Sequence, residues 1–259
     1  ADVRALRTVL GVLSTLPVFW MLYDQQGSVW VLQARDMGTF GGAIQPEQLG
    51  VLNPILILAL LPFFEKVAYP RIEHHVGARV TPPLRMAAGM AFASAAFVVA
   101  AVIEAALPLN ILWQIPQIVL ISVGEILTSV TGLEYSYTHA PAKFKATVTS
   151  AFLLTTAVGD VCGGVLYASV GDKASRGVLM LACAALMLAT LAGFAYVAKA
   201  LTGQPLFPGS SAGHHDDGAD GETPSTAMSK LGASHGLPDG DGRPVAIAVA
   251  ADDDDDDDD

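Results

Sequence analysis

Carboxylates inside long apolar runs are the residues here whose type and spacing could do chemistry. Glu125 stands near the middle of LWQIPQIVLISVGEILTSVTGLEYSY, residues 112–137. An ionised group at the bilayer centre costs at least about 2.5 kcal/mol, so it normally faces a bundle interior or a water-filled path and has a partner there. Glu134 follows nine residues later, half a turn out of phase and ~13 Å further along a helix axis. The two acids point to opposite faces and cannot form a dyad, which makes Glu125 the expected centre of function and Glu134 a boundary residue of structural role. Asp24 lies in FWMLYDQQGSVW, with Trp20 one helical turn before it and Ser28 one turn after. An aromatic ring, a carboxylate and a hydroxyl on one helical stripe suit a pocket for a polar ligand with an apolar part. An interhelical hydrogen bond that glues a bundle is the plainer reading of the same residues. Asn53, before Pro54, can donate and accept, or simply cap a helix. Asp160, in TTAVGDVCGGVL, could meet a base on a partner, join a proton path or sit at a solvated rim. Gly159 and Gly163 beside it form the small-xxx-small face of close helix packing.

The elements that must position these groups are membrane spans. The chain has 259 residues and is 52% hydrophobic, with a mean hydropathy of +0.48, too apolar for an ordinary soluble domain. Its formal charge of −11 is confined to one end. Beyond Leu201 fourteen acids, eight of them in the terminal Asp run, stand against Lys230 and Arg243, whereas residues 1–201 are close to neutral. That pattern predicts a membrane domain over residues 1–201 and an acidic, disordered cytoplasmic tail over 202–259. Cys162 and Cys183 fall within apolar runs and read as free thiols. The N-terminus, ADVRALRTVL, shows no cleavage pattern of a signal peptide.

Six apolar segments, about 6–32, 49–69, 86–107, 109–129, 148–170 and 178–200, are each long enough to cross the ~30 Å of hydrocarbon. Pro17, Pro54, Pro62 and Pro116 predict kinks. With the N-terminus inside, nine basic residues (Arg4, Arg7, Lys66, Arg71, Arg79, Arg85, Lys143, Lys145 and Lys199) face the inner side and three (Arg35, Lys173 and Arg176) the outer. The positive-inside rule therefore places both termini in the cytoplasm. The fold expected is all-α: two sequential groups of three spans related by inverted topology.

Metal and hydrolytic chemistry find little support. His74–His75 and His214–His215 are adjacent pairs that point apart, with no second cluster at metal spacing. No G-x-S-x-G, H-E-x-x-H or phosphate-binding glycine loop occurs, nor a basic aromatic-laced surface for nucleic acid.

PVFWMLYDQQGSVWVLQA, LNPILILALLPFFEKVAYP and LWQIPQIVLISVGEILTSVTGLEYSYTHAP resemble the seventh, eighth and tenth helices of the proton-dependent oligopeptide transporter family of the major facilitator superfamily. The resemblance runs in unbroken order over residues ~1–200, and implies the C-terminal half of a twelve-helix symporter of di- and tripeptides with protons. It puts the family's amine-binding carboxylate on Glu125, its pocket tryptophan and neighbouring acid on Trp20 and Asp24, and its eighth-helix asparagine on Asn53. The eleventh-helix pocket tryptophan corresponds to Phe152, which keeps an aromatic wall without the indole N–H. Asp160 stands where relatives often carry Asn, and Tyr23 where plant-type nitrate transporters carry His, which argues against nitrate. The implied substrate-binding set is Glu125, Asn53, Trp20, Tyr23 and Phe152, with Asp24 and Glu125 in proton coupling. The resemblance implies a proton as the coupling ion, with no metal or other cofactor. The family's first-helix E-x-x-E-R motif and basic fourth-helix residues belong to its N-terminal half and do not occur in this sequence. The chain is thus expected to supply one wall of a site at midplane, with peptide, lipid and the other half as partners.

A transporter half is one reading. A membrane-embedded hydrolase would need a nucleophile with an intramembrane base or metal, and every histidine lies outside the spans or, as His139, at an inner margin. A family member for another small solute and a non-transporting remnant are the remaining alternatives. On the transporter reading, Glu125, Asp24, Trp20 and Asn53 converge on one polar face within ~15 Å, about one intervening helix.

Overall fold

Length and apolarity make six helical spans, and each chemical residue named above sits where one of them bends or is pressed against another. A computed structural model describes residues 2–76, 80–171 and 174–202. The proposed disordered tail, Arg79 and Lys173 lie outside the described residues.

The spans are Ala5–Arg35, Pro46–His75, Pro82–Ala105, Ile111–His139, Ala142–Ser169 and Arg176–Leu201. The third, fifth and sixth contain single unbroken helices, Pro82–Ala105, Lys145–Val170 and Arg176–Thr202. The other three are segmented. In the first, helix Asp2–Leu13 gives way at Ser14–Thr15, just before Pro17, and the Ser14 and Thr15 hydroxyls donate to the Gly11 and Val12 carbonyls. Helix Leu16–Tyr23 then tightens into a 3-10 turn over Asp24–Gly27 before Val29–Arg35 resumes. The second span carries a π turn, Phe64–Ala68, two residues after Pro62. The fourth carries another, Ile126–Val130, immediately after Glu125. Such single π turns insert one extra residue into a helix and are frequent at functional sites.

The third span is the core, with 61% of its most apolar window buried, whereas the second has only 6%. The third packs along the sixth and the fourth, the first along the fifth, and the second against the fourth. Exchanging spans one to three for four to six maps first-on-fifth onto fourth-on-second and returns third-on-sixth to itself, as an inverted pair of three-helix units requires.

Two contacts hold this core in register. Gly89 of the third span and Gly124 of the fourth are pressed together: a Cβ on Gly89 would lie 2.7 Å from the Gly124 carbonyl oxygen, and one on Gly124 2.9 Å from that of Gly89. At one end of these spans, Arg176 binds Glu104 (2.8 Å), the Leu32 carbonyl (2.9 Å) and Asp36, tying the sixth, third and first spans together.

Candidate functional site

Glu125 is the last residue of helix Ile115–Glu125, directly after the glycine pressed against the third span. The close approach there fixes the height and azimuth of its carboxylate. Tyr23 ends its own helix at the start of the 3-10 turn, and Asn53 is the second residue of helix Leu52–Phe63. The three side chains meet. The Tyr23 hydroxyl donates to Glu125 Oε2, and Asn53 Nδ2 donates both to Tyr23 Oη (2.7 Å) and to Glu125 Oε2 (2.9 Å). Asn53 Oδ1 accepts from Ser122 Oγ at 2.5 Å. The asparagine therefore does not cap its helix; both ends of its amide are spent across the bundle.

Both bonds to Glu125 fall on one carboxylate oxygen, Oε2. Among the described residues none reaches Glu125 Oε1, and the side chain is only partly buried. A carboxylate anchored through one oxygen and open at the other can receive a cation without rebuilding its surroundings. A cavity of about 500 Å³ reaches Asn53 between the first, second and fourth spans, lined among others by Trp30, Arg35, Glu47, Gln114 and Ile118. An Arg35–Glu47 ion pair of 2.9 Å stands among its lining residues.

Trp20 and Phe152 form an aromatic wall behind the site. Their rings meet edge to face at 6.4 Å, Tyr23 lies edge-on to Trp20 at 5.5 Å, and both Trp20 and Phe152 are buried. Trp20 Nε1 is buried without a hydrogen-bond partner, so the ring serves here by its face and edge. The expected stripe Trp20–Asp24–Ser28 is broken by the 3-10 turn, and the Ser28 hydroxyl is drawn to the Gln25 carbonyl and Oε1. The helical stripe presumed a regular α-helix through Ser28, and hydropathy holds no record of the tightening.

Asp24 instead meets the fifth span. Gly159 lets that span close on the first, since a Cβ there would lie 2.5 Å from Trp20 Cβ and 2.7 Å from the Pro17 carbonyl oxygen. Across this seam the Asp24 and Asp160 carboxyls come within hydrogen-bonding reach, and Asp24 also feels the charge of Glu125. Asp24 Oδ2 is buried with no donor to it. Asp160 itself is exposed on this chain.

Other candidates lie apart from this group. Glu134 is half-buried in the next helix, Thr131–His139, within the fields of Arg85 and Glu65. His75 and His139 ring nitrogens engage the Arg71 and Tyr135 carbonyls of their own helices. Cys162 is exposed and Cys183 buried, both free. Among the described residues no group of three His, Cys, Asp or Glu side chains could hold a metal ion.

Two features escaped sequence reasoning. Ser122 is fully buried and joined to Asn53; its place three residues before Glu125, hence on the same helical face, was a usable signal. Gln33, Gln114 and Gln117 form a buried amide cluster: Gln33 Oε1 accepts from Gln114 (3.0 Å) and Gln117 (3.2 Å), Gln33 Nε2 donates to the Ala100 carbonyl (2.9 Å), and Gln114 donates to that of Trp30 (2.9 Å). Three neutral amides spaced over two spans carry no such signal individually.

Six long apolar helices packed around a carboxylate-centred polar site define a class, that of multi-pass helical membrane proteins. The sequence profile of the POT family matches residues 1–196, and the chain belongs to that family. It is 46% identical to human solute carrier family 15 member 2 over 107 residues, which is 40% of this chain and 14% of the human protein. It is 35% identical to the peptide transporter PTR2 of Saccharomyces cerevisiae over 167 residues, 58% of this chain and 27% of the yeast protein. The crystal structure of the POT family transporter PepTSo superposes with a TM-score of 0.70 at 32% identity, covering 78% of this chain and 43% of that one. That of an auto inhibited POT family peptide transporter gives 0.68 at 33%, covering 76% and 41%. The chain thus spans less than a third of these curated relatives and under half of these crystallised ones.

Proposed function

We propose that this chain forms the C-terminal six-helix half of a proton-coupled symporter of di- and tripeptides, one wall of a peptide site completed by six further spans. The observation that carries the reading is the state of Glu125: Oε2 is fastened by Tyr23 and Asn53, while Oε1 accepts no hydrogen bond among the described residues and the side chain is only partly buried. A peptide's terminal ammonium group is a cation of the size and charge that such an oxygen accepts. Trp20 and Phe152 offer the apolar side of the pocket, and Asn53 and Tyr23 orient the anion. Asp24, next to Asp160 and within the field of Glu125, is the proton-exchanging acid: two carboxyls in contact at membrane depth cannot both carry charge cheaply. Both termini face the cytoplasm, as the nine-to-three division of basic residues indicates.

The experiment is uptake of a labelled dipeptide against external pH by the full-length transporter in vesicles. Glu125→Gln keeps size and hydrogen bonding but removes the charge, and the lost charge-assisted bond is worth roughly 1.5–3 kcal/mol, about one to two decades of affinity. Transport of peptides with a free amino terminus is expected to be lost with expression near normal. Asp24→Asn is expected to flatten the pH dependence instead. Normal uptake by Glu125→Gln together with loss in Glu134→Gln would show that the wrong carboxylate has been chosen.

A further inference from the structure

Ser122 occupies a position that neither the peptide nor the proton is expected to touch. It is fully buried on the fourth span, three residues before Glu125. Its Oγ lies between two acceptors, Asn53 Oδ1 at 2.5 Å and the Ile118 carbonyl of its own helix at 2.8 Å. A hydroxyl has one hydrogen and can serve only one of them fully. Which one it serves determines what Asn53 can present to Glu125.

With the hydrogen on Asn53 Oδ1, the amide is held with Nδ2 toward Tyr23 Oη and Glu125 Oε2, the arrangement the structure shows. With the hydrogen on the Ile118 carbonyl, Oδ1 loses its donor. The amide is then satisfied only by reversing, so that Nδ2 donates to Ser122 Oγ and Oδ1 faces Glu125. Beside an ionised Glu125 that reversal sets two acceptors against each other and is opposed. Beside a protonated Glu125 it is favoured, since the carboxyl O–H then donates to Oδ1. Among the described residues the titratable groups around Glu125 are few. The first span contributes Tyr23 and Asp24, with Asp160 of the fifth behind Asp24. The third span meets Gly124 with the uncharged Gly89 and Ala93, and the second brings Asn53.

We propose that Ser122 is a positioning residue for Glu125: its hydroxyl aims the Asn53 amide at the carboxylate, and rotation of that hydroxyl to the Ile118 carbonyl lets the amide reverse when Glu125 takes up a proton. The inference rests on the reading of Glu125 as the amine-binding, proton-sensitive carboxylate. It adds a donor that sets the state of that carboxylate from outside the pocket.

Two readouts on the full-length transporter test it. The first is uptake kinetics. Ser122→Ala is expected to raise the KM for a free-amine dipeptide by about tenfold, the effect of loosening one hydrogen bond to a charged group, with kcat within about twofold of wild type. Ser122→Thr, which keeps the hydroxyl, is expected to restore the wild-type KM. The second is independent of transport: the side-chain amide signal of Asn53 in 15N-labelled protein, assigned by its absence in Asn53→Asp. Its hydrogen exchange is expected to be slow in the wild type and Ser122→Thr, and faster by about tenfold or more in Ser122→Ala, as for a protected group losing its anchor. Should Ser122→Ala not fold, Ser122→Cys, close in size with a far weaker donor, takes its place with the same expectation. A wild type that imports no peptide refutes the transporter reading alone, because the amide signal still reports on Ser122. Unchanged amide exchange in Ser122→Ala overturns the proposal, as does a loss in Ser122→Thr equal to that in Ser122→Ala.

Discussion

Tyr23 is the residue on which the apolar and polar parts of the site meet. Its ring stacks on Phe19 with centroids 5.9 Å apart and lies edge-on to Trp20, while its hydroxyl donates to Glu125 and accepts from Asn53. These two attachments can be separated, because phenylalanine keeps the first and removes the second. Tyr23→Phe takes one of two donors from Glu125 Oε2, and a hydrogen bond to a charged group contributes about 1.5–3 kcal/mol. The expected outcome is a KM for free-amine peptides raised at least about tenfold, with the melting temperature of the purified protein within a few degrees of wild type. Parallel uptake kinetics and thermal unfolding in detergent check both halves; a large drop in melting temperature with unchanged KM would assign the phenol to stability alone. Glu125 was legible as the central acid because a carboxylate at that depth in an apolar run is costly wherever it lacks a role. The family resemblance marked Tyr23 as well, but its bond to Glu125 spans 102 positions of sequence and comes only from the packing of the first span on the fourth.

At the scale of elements, what places Glu125 is the contact of the third span with the fourth. A Cβ on Gly89 would lie 2.2 Å from Thr128 Oγ1 and 2.7 Å from the Gly124 carbonyl, and the second of these is backbone that cannot swing aside. Gly89→Val must push the two helices apart, and overpacking of this kind costs about 1–3 kcal/mol. A lowered melting temperature and loss of uptake are expected together, since the displaced helix carries Glu125. Gly164→Ala is the control: a Cβ there meets nothing within 4 Å, and it should leave both unchanged. Equal behaviour of the two variants would count against the close contact. Six spans and their approximate limits were readable from hydropathy, as was the small-xxx-small seam of Gly159 and Gly163. The 3-10 turn at Asp24–Gly27 and the π turn at Ile126–Val130 were not, because one residue more or fewer per turn leaves hydropathy almost unchanged. The glutamine cluster escaped for a different reason: Gln33 finds its partners 81 and 84 positions away.

For the whole molecule, the orientation in the bilayer follows from charge rather than from packing. With Cys162 and Cys183 replaced, a single cysteine at Glu47 is expected to react with an impermeant maleimide added outside cells, and one at Lys143 only after permeabilisation. Both positions are exposed, and each lies at the N-terminal end of its span, the second and the fifth, which an alternating topology runs in opposite directions across the bilayer. The reverse pattern would invert the topology that the nine-to-three count implies. The glutamine cluster bears on how such a molecule is made. Gln114 and Gln117 share the fourth span with Glu125, and the Nε2 donors of their buried amides are met by the first span. Released alone into hydrocarbon, that span would carry two unmet amides and a carboxylate, each opposed by the lipid. Part of that cost is removed when Gln33 is already in the membrane beside it, since its Oε1 accepts from both amides. The order of synthesis, first span before fourth, thus supplies the polar partners before the segment that needs them leaves the ribosome.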